Sequence, residues 1–277
     1  EEPAILQAIC HLLERFDAIV SFNGRTFDWP LLQSRFTMAR REPLPALTQL
    51  DLLPPARKLW RRMLPNCRLA TIEEDVLGVQ RIGDVPGKLA PELYFAYKSD
   101  GDARPLADVF THNSWDILSL CTLAACMTER VAEPFGDNVR PEEWFGLASW
   151  YAQWDLADQS RACLARVANS VDRDWLRIEA LWRLSLSYKR ERNFTEAVRL
   201  WHMIVEEEQL WNTAPRVELA KYYEHHVRDY VAAAEFVQQA IAMIQHRNAA
   251  ARGRSPLPEE VELRRRLARI HKKSGAR

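Results

Sequence analysis

Residues 17–32 read DAIVSFNGRTFDWPLL, and this stretch decides how the rest of the first half is read. Ala18-Ile19-Val20, continuing through Ser21 to Phe22, is a short apolar run of the kind that forms a buried strand of a parallel sheet. Asn23-Gly24 breaks the run with a turn. Phe27, Leu31 and Leu32 then recur at helical spacing, and Pro30 is tolerated in a first helical turn. Asp28 therefore sits where a strand ends and a helix begins. In open α/β sheets that place can be a ligand crevice, and it can equally be a simple helix cap.

The chain has 277 residues with no net charge at neutral pH, a length that points to two domains. The charge is uneven: residues 1–139 carry 19 acidic and 15 basic side chains (net −4), and residues 140–277 carry 19 and 23 (net +4). A polyanion would therefore have to be held by local patches. Five scattered cysteines (10, 67, 121, 126 and 163) show no CxxC pair and no metal-ligand spacing. They read as reduced core thiols of a cytoplasmic protein. No apolar run approaches the ~18 residues of a membrane span. The sequence opens on Glu1 directly in a helical pattern (Ile5, Ile9, Leu12, Leu13), which suggests that it begins inside a longer protein.

Around the opening stretch, residues 3–15 read as an amphipathic helix and residues 27–39 as the helix after the turn. Leu47–Leu52 reads as a second short strand ending at Asp51. Pro54-Pro55 starts a helix carrying Arg57, Lys58, Arg61 and Arg62, a surface helix first and a phosphate-contacting patch second. Residues 69–77 form another helix closed by Gly78, on which Glu73-Glu74-Asp75 reads as a solvated face. Lys88–Tyr97 is helical, and a long helical pattern runs from Leu106 to Val131 with a possible break near Thr111. That last segment contains His112-Asn113-Ser114-Trp115-Asp116. His112 and Asp116 are four apart and share a helix face, with Ile117, Leu120 and Leu123 available to pack the helix inward. Alone, such a pair is more often a surface ion pair or helix support than a catalytic one.

Taken together, FNGRTFDWPLL and, some ninety residues later, HNSWDILSL resemble the DEDD exonuclease family, in its bacterial branch with a YprB-type ribonuclease H-like domain. That family carries an Asn-Gly-x-x-Phe-Asp-x-Pro-x-Leu motif, matched here by Asn23, Gly24, Phe27, Asp28, Pro30 and Leu32. Its later motif, an aromatic or His with Asp four residues on, is matched by His112, Asn113 and Asp116. Asp51 fits the Asp-Leu that often follows the next strand. The resemblance covers residues 1–131 and implies a metal-dependent nuclease acting on single-stranded nucleic acid from the 3′ end. Phosphodiester hydrolysis at neutral pH is served by two divalent ions about 4 Å apart, and hard Mg²⁺ or Mn²⁺ prefers carboxylate oxygens. By resemblance Asp116 is a direct metal ligand, Asp28 holds the second ion, His112 orients or deprotonates the attacking water, and Asn23, Phe27 and Asn113 contact substrate. The sequence departs from the family in one respect. No strand carrying the first motif, Asp-x-Glu, precedes the Ile5–Leu13 helix. The expected fold is therefore an α/β ribonuclease H-like domain over residues 1–135, short of its first strands and left with two, and the chain by itself is expected to be inactive.

From Pro141 onward everything is helical, and residues 140–277 show a repeat. Trp144, Leu147, Ala148 and Tyr151 form one set; Leu181, Leu184, Ser185 and Tyr188 the next; Arg216, Leu219, Ala220 and Tyr223 the third. The tyrosines are 37 and then 35 residues apart. Partner helices bring Ala197 with Trp201, and Ala233 with Val237 and Ala240. The pattern resembles degenerate tetratricopeptide repeats, which implies an all-α repeat domain offering a surface to a protein or peptide partner. His225-His226 reads as ordinary surface or packing rather than a metal site, since adjacent residues on a helix do not face one way. Residues 247–258 read as a basic linker, and Glu259–Lys273 as a final helix, either a solvated cap or a nucleic-acid contact. The other reading of the whole chain is a non-catalytic interaction scaffold built on a degenerate ribonuclease H-like fold.

Overall fold

A computed structural model describes residues 2–81, 83–170, 175–207, 212–250 and 257–275. Contacts group the chain into residues 1–147 and 148–277.

In the first unit, helix α1 (Glu2–Leu13) leads into strand β1 (Ala18–Ser21), helix α2 (Asp28–Met38), strand β2 (Thr48–Asp51) and helix α3 (Leu53–Trp60). The two strands pair in parallel, Ala18 opposite Thr48 and Ser21 opposite Asp51, as the two apolar runs imply. A parallel pair needs a crossover, and α2 supplies it. Gly24 is required where it stands: a Cβ there would lie 2.5 Å from Ser21 Cβ. Asn23, with φ +71°, is a residue type that tolerates the left-handed turn. Phe27 and Leu31, which recur at helical spacing, are 65% and 57% exposed; the covered face of α2 is Trp29, Leu32 and Phe36. On the sheet Val20 and Leu50 are exposed side by side, while Ile19, Ser21, Gln49 and Asp51 are half-buried. One face of the sheet is thus uncovered among the described residues.

Helix α4 (Leu69–Ile72) runs on into a π-turn, Glu73–Leu77, closed by Gly78 at φ +67°. After a short 3₁₀ turn (Gly87–Leu89) come α5 (Ala90–Asp100) and α6 (Leu106–Ala132), which is continuous through Thr111. The buried stripe of α6 is Ser119, Leu123 and Met127; Ile117 is 54% exposed, against the inward packing expected of it. Helix α7 (Pro141–Gln153) begins where the sequence places a new helix. Its Glu143, buried, accepts hydrogen bonds from Trp60 Nε1 at 2.9 Å, Arg130 Nε at 3.0 Å and the Arg140 amide at 2.9 Å. That single carboxylate fastens α3, α6 and α7. Gly146 lets α7 approach α3 closely, since a Cβ would lie 2.5 Å from the Lys58 carbonyl. Of the basic cluster on α3 and the turn after it, Arg62 stacks over the Phe145 ring at 4.5 Å.

The second unit is a run of helical hairpins: the end of α7 with α8 (Ala157–Ser170), α9 (Trp175–Arg190) with α10 (Phe194–Glu207), and α11 (Ala214–Tyr222, extended by a π-turn Tyr223–Val227) with α12 (Tyr230–Ala250), then α13 (Pro258–Ser274). Each helix from α8 onward packs on the next. Tyr151, Tyr188 and Tyr223 fall on or just after the first helix of successive hairpins, and Ala148, Ser185 and Ala220 are buried at 2%, 0% and 0% exposure. Small side chains are what close helix crossings require. Trp201 with Ala197 and Leu219 forms one core cluster, and Ala233, Val237 and Ala240 with Leu263 and Ile270 of α13 another. His226 packs between Tyr222 and Phe194, with ring centroids 5.5 and 4.2 Å away, which bears out its packing role. Residues 247–250, expected as linker, complete α12, and residues 251–256 lie outside the described residues. All five cysteines are free thiols. Among the described residues no helix is long and apolar enough to cross a membrane.

Candidate active site

The residues singled out from sequence fall into two neighbourhoods. The first is the β1–α2 turn. Asp51, at the end of β2, accepts hydrogen bonds from the backbone amides of Asn23 (2.8 Å), Arg25 (3.2 Å) and Leu53 (3.0 Å). Asn23 in turn accepts the Thr26 hydroxyl at 2.9 Å. Asp28, exposed at the start of α2, lines a cavity of about 100 Å³ with Ile19, Ser21, Gly24, Trp29, Leu32 and Gln49. Its Oδ2 lies 3.4 Å from where a Gly24 Cβ would stand.

The second neighbourhood is on α6. His112 and Asp116 are one turn apart, with Nε2 and Oδ2 3.6 Å from each other. The Nδ1 of His112 meets both oxygens of Asp84, at 2.8 and 2.9 Å. Arg81 Nη1 also lies 3.3 Å from this Nδ1; in the tautomer that donates Nδ1–H to Asp84, the lone pair is on Nε2. Gly87 backs the ring, as a Cβ there would sit 3.3 Å from Nε2. Asn113 is exposed on the adjacent side of the helix.

At the centre of this group stands Arg81, whose side chain is 10% exposed. Its guanidinium donates to Asp116 Oδ1 at 2.6 Å, to Asp84 Oδ2 at 3.1 Å and to Glu73. Desolvation opposes the charge on Arg81, but hydrogen bonds to Glu73, Asp116 and Asp84 outweigh it and push its pKa up. Asp84 moves the other way: partial burial raises it, and the bonds from His112 and Arg81 more than offset that and hold it below the usual carboxylate range.

Glu73 is 1% exposed, against the solvated face expected for Glu73-Glu74-Asp75; only Glu74 and Asp75 lie in solvent. Glu73 follows the buried Ile72 of α4 and is turned inward to pair with Arg81. Glu73, Arg81 and Asp84 were not legible as site residues from periodicity. One signal was available: Arg81 is the sole basic residue between Arg68 and Lys88, in a segment with four acidic ones.

The described residues do not by themselves complete a site for Mg²⁺ or Mn²⁺. The Asp116 carboxylate is engaged by Arg81 and faces His112, and Asp28 sits among a different set of neighbours. Among the described residues no three His, Cys, Asp or Glu side chains are placed to hold a metal ion.

The parallel strand pair with its crossover helix, the Asn-Gly turn and the His–Asp face on α6 can be set beside known proteins. Residues 1–128 match the profile of the RNase_H superfamily. They are a ribonuclease H-like domain. Protein YprB of Bacillus subtilis (strain 168) is 34% identical over 230 residues, covering 81% of this chain and 55% of YprB. The chain thus spans about half the length of that relative. Two crystal structures of a Podosopora anserina putative kinesin light chain with nearly identical TPR-like repeats, one of them a point variant, are similar at TM-score 0.42 and 19% identity. They cover 69–70% of this chain and 89–90% of those chains.

Proposed function

We propose that the ribonuclease H-like domain belongs to a metal-dependent nuclease that acts on single-stranded nucleic acid from the 3′ end, in a cytoplasmic setting, with the helical repeats binding a protein or peptide partner. The observation that carries this reading is the His112–Asp116 face, with the imidazole pinned at Nδ1 by Asp84 and its Nε2 left as a base. In this role His112 Nε2 takes the proton of an attacking water, and Asp84 stabilises the imidazolium that forms. Asn23, Phe27 and Asn113, all exposed, would contact the terminal nucleotide, Phe27 by stacking on a base. In this reading Asp116 and Asp28 supply two carboxylates towards Mg²⁺ or Mn²⁺. Activity then needs two more, on a strand placed beside β1, where it would pair with the free edge of that strand.

One observation favours a second reading, a non-catalytic interaction scaffold: Arg81 already fills the place beside Asp116 with a fixed cation. Cleavage of a 3′-labelled single strand separates the two. The expected result is no cleavage by residues 1–277, and Mg²⁺- or Mn²⁺-dependent cleavage by a chain extended upstream with an Asp-x-Glu strand, lost in Asp116→Asn. An extended chain that leaves the strand intact, or an Asp116→Asn variant as active as the parent, rejects the nuclease reading. Metal-dependent cleavage by residues 1–277 alone, abolished by Asp116→Asn, would mean that this chain already holds a sufficient site.

A further inference from the structure

Helix α13 carries a second charged centre, apart from the His112–Asp116 face. Glu224, in the π-turn after α11, is fully buried, and its carboxylate receives Arg266 at 2.8 Å, Arg269 at 3.2 Å and Lys273 at 2.8 Å. Positions 266, 269 and 273 are spaced i, i+3, i+7, so they form one face of α13. One negative charge thus meets three positive ones. Burial alone would raise the pKa of Glu224; the bonds from Arg269 and Lys273, with the charges of His225 and Arg269, outweigh it and bring it down to about 2. The surplus continues along the helix. Arg265 is 76% exposed, with Glu262 4.0 Å away as its partner, and Lys272 is exposed with no ion-pair partner among the described residues. Arg269 and Lys273 remain 48% and 38% exposed while bonded to Glu224.

Two properties make this more than a solvated cap. The partly exposed side chains of Arg269 and Lys273 are already held in place by Glu224, so they have less rotamer entropy to lose on binding. Three accessible cations, Arg265, Arg269 and Lys272, lie along one strip of the helix about 10 Å long, which suits a row of anions better than a single ion; Arg264, 56% exposed, is paired with Glu260 instead. Arginine also meets phosphate oxygens in a two-pronged geometry.

We propose that the Arg265–Lys273 face of α13 binds the phosphate backbone of single-stranded nucleic acid, with Glu224 positioning Arg269 and Lys273 within it. The inference rests on the nuclease reading only for the class of its partner; it requires no cleavage.

The test is fluorescence anisotropy of a labelled single-stranded oligonucleotide with residues 1–277, in EDTA, across a salt series. The triple variant Arg265→Gln, Arg269→Gln, Lys272→Gln should bind at least tenfold more weakly. The slope of log affinity against log salt should shrink by about 2, at ~0.7 for each phosphate no longer neutralised. Because Arg269 touches Glu224, the pair Arg265→Gln, Lys272→Gln serves as a second variant, with a slope change of about 1.4 from the same relation. Unchanged affinity and slope in both variants, or no binding by the parent chain, overturns the proposal. So does tighter binding to phosphatidylserine vesicles than to the oligonucleotide, or equal competition by polyglutamate. Variant-dependent binding alongside an upstream-extended chain that never cleaves upholds this surface and rejects the nuclease; cleavage with unaltered binding does the reverse.

Discussion

The ribonuclease H-like unit and the repeat unit are of similar length and differ in how they treat apolar surface. Among the described residues, sixteen of the large hydrophobic side chains left exposed belong to residues 1–147 and six to residues 148–277. The repeats bury theirs by stacking each helix on the next. The first unit leaves a sheet face and parts of α2, α5 and α6 uncovered, and its most enclosed polar groups are charged ones around Arg81 and Glu143. An uncovered apolar face of that extent marks an interaction surface or an aggregation hazard. A stack of hairpins completes its own core, whereas a two-stranded sheet needs neighbours to complete one.

Truncating one large side chain in each unit tests this contrast most directly. Trp201→Ala, at a site 1% exposed, should destabilise the repeat unit by about 3–5 kcal/mol. Leu31→Ala, 57% exposed in the first unit, should change stability by less than about 0.5 kcal/mol. Equal losses in urea unfolding would show that the exposed surface of the first unit is covered in solution.

Next in size is Glu224→Gln, which leaves three cations around a neutral amide and should cost about 3 kcal/mol. Its pH dependence has a definite sign. The folded-state pKa, about 2, lies below the ordinary 4.5, so the stabilisation is complete above about 4.5 and is lost as pH falls through that value towards 2. Acid unfolding followed by circular dichroism should therefore begin at higher pH in the variant, and its stability should vary less between about pH 5 and 3. Identical acid transitions would remove Glu224 from the set of groups that hold α13.

Ser185→Leu overfills a crossing where the serine is fully buried and donates to the Trp182 carbonyl at 2.7 Å. A loss of about 1–3 kcal/mol is expected, and an unchanged melting temperature would mean that the crossing has room. The smallest effect probes the contrast from the side of the first unit. Val20→Thr, on the exposed sheet face, should leave stability within about 0.5 kcal/mol while raising the concentration at which the chain stays monodisperse by light scattering. No gain in solubility would indicate that this face is not where chains associate.

The parts of this architecture that follow from periodicity were legible in the sequence. The two strands, the Asn23-Gly24 turn, the crossover helix and the small residues at helix crossings all arise from spacing or from one residue's local geometry. The inward faces of α2 and α6 were harder. Phe27, Leu31 and Ile117 are apolar enough to be core, and which stripe is covered depends on what the fold sets against it. The charged centre was hardest. Arg81 reaches Asp116 across 35 residues and Glu73 across 8, and a guanidinium bridging three segments leaves no periodic trace. His112 and Asp116 were visible as a pair; Asp84, which orients the imidazole, was not, because the loop that carries it is placed by tertiary contacts.

Asp51 has a consequence for the order in which the chain assembles. The Asn23 and Arg25 amides close on a carboxylate 28 and 26 residues further on, so the turn bearing Asn23 and Phe27 cannot settle by itself. It must wait until α2 has been traversed and β2 has docked beside β1, a loop closure with an entropic cost of its own. The protection of those two amides against hydrogen exchange is then a clock for strand pairing: it should appear together with that of Leu52, whose amide bonds the Ser21 carbonyl at 2.8 Å, and not before.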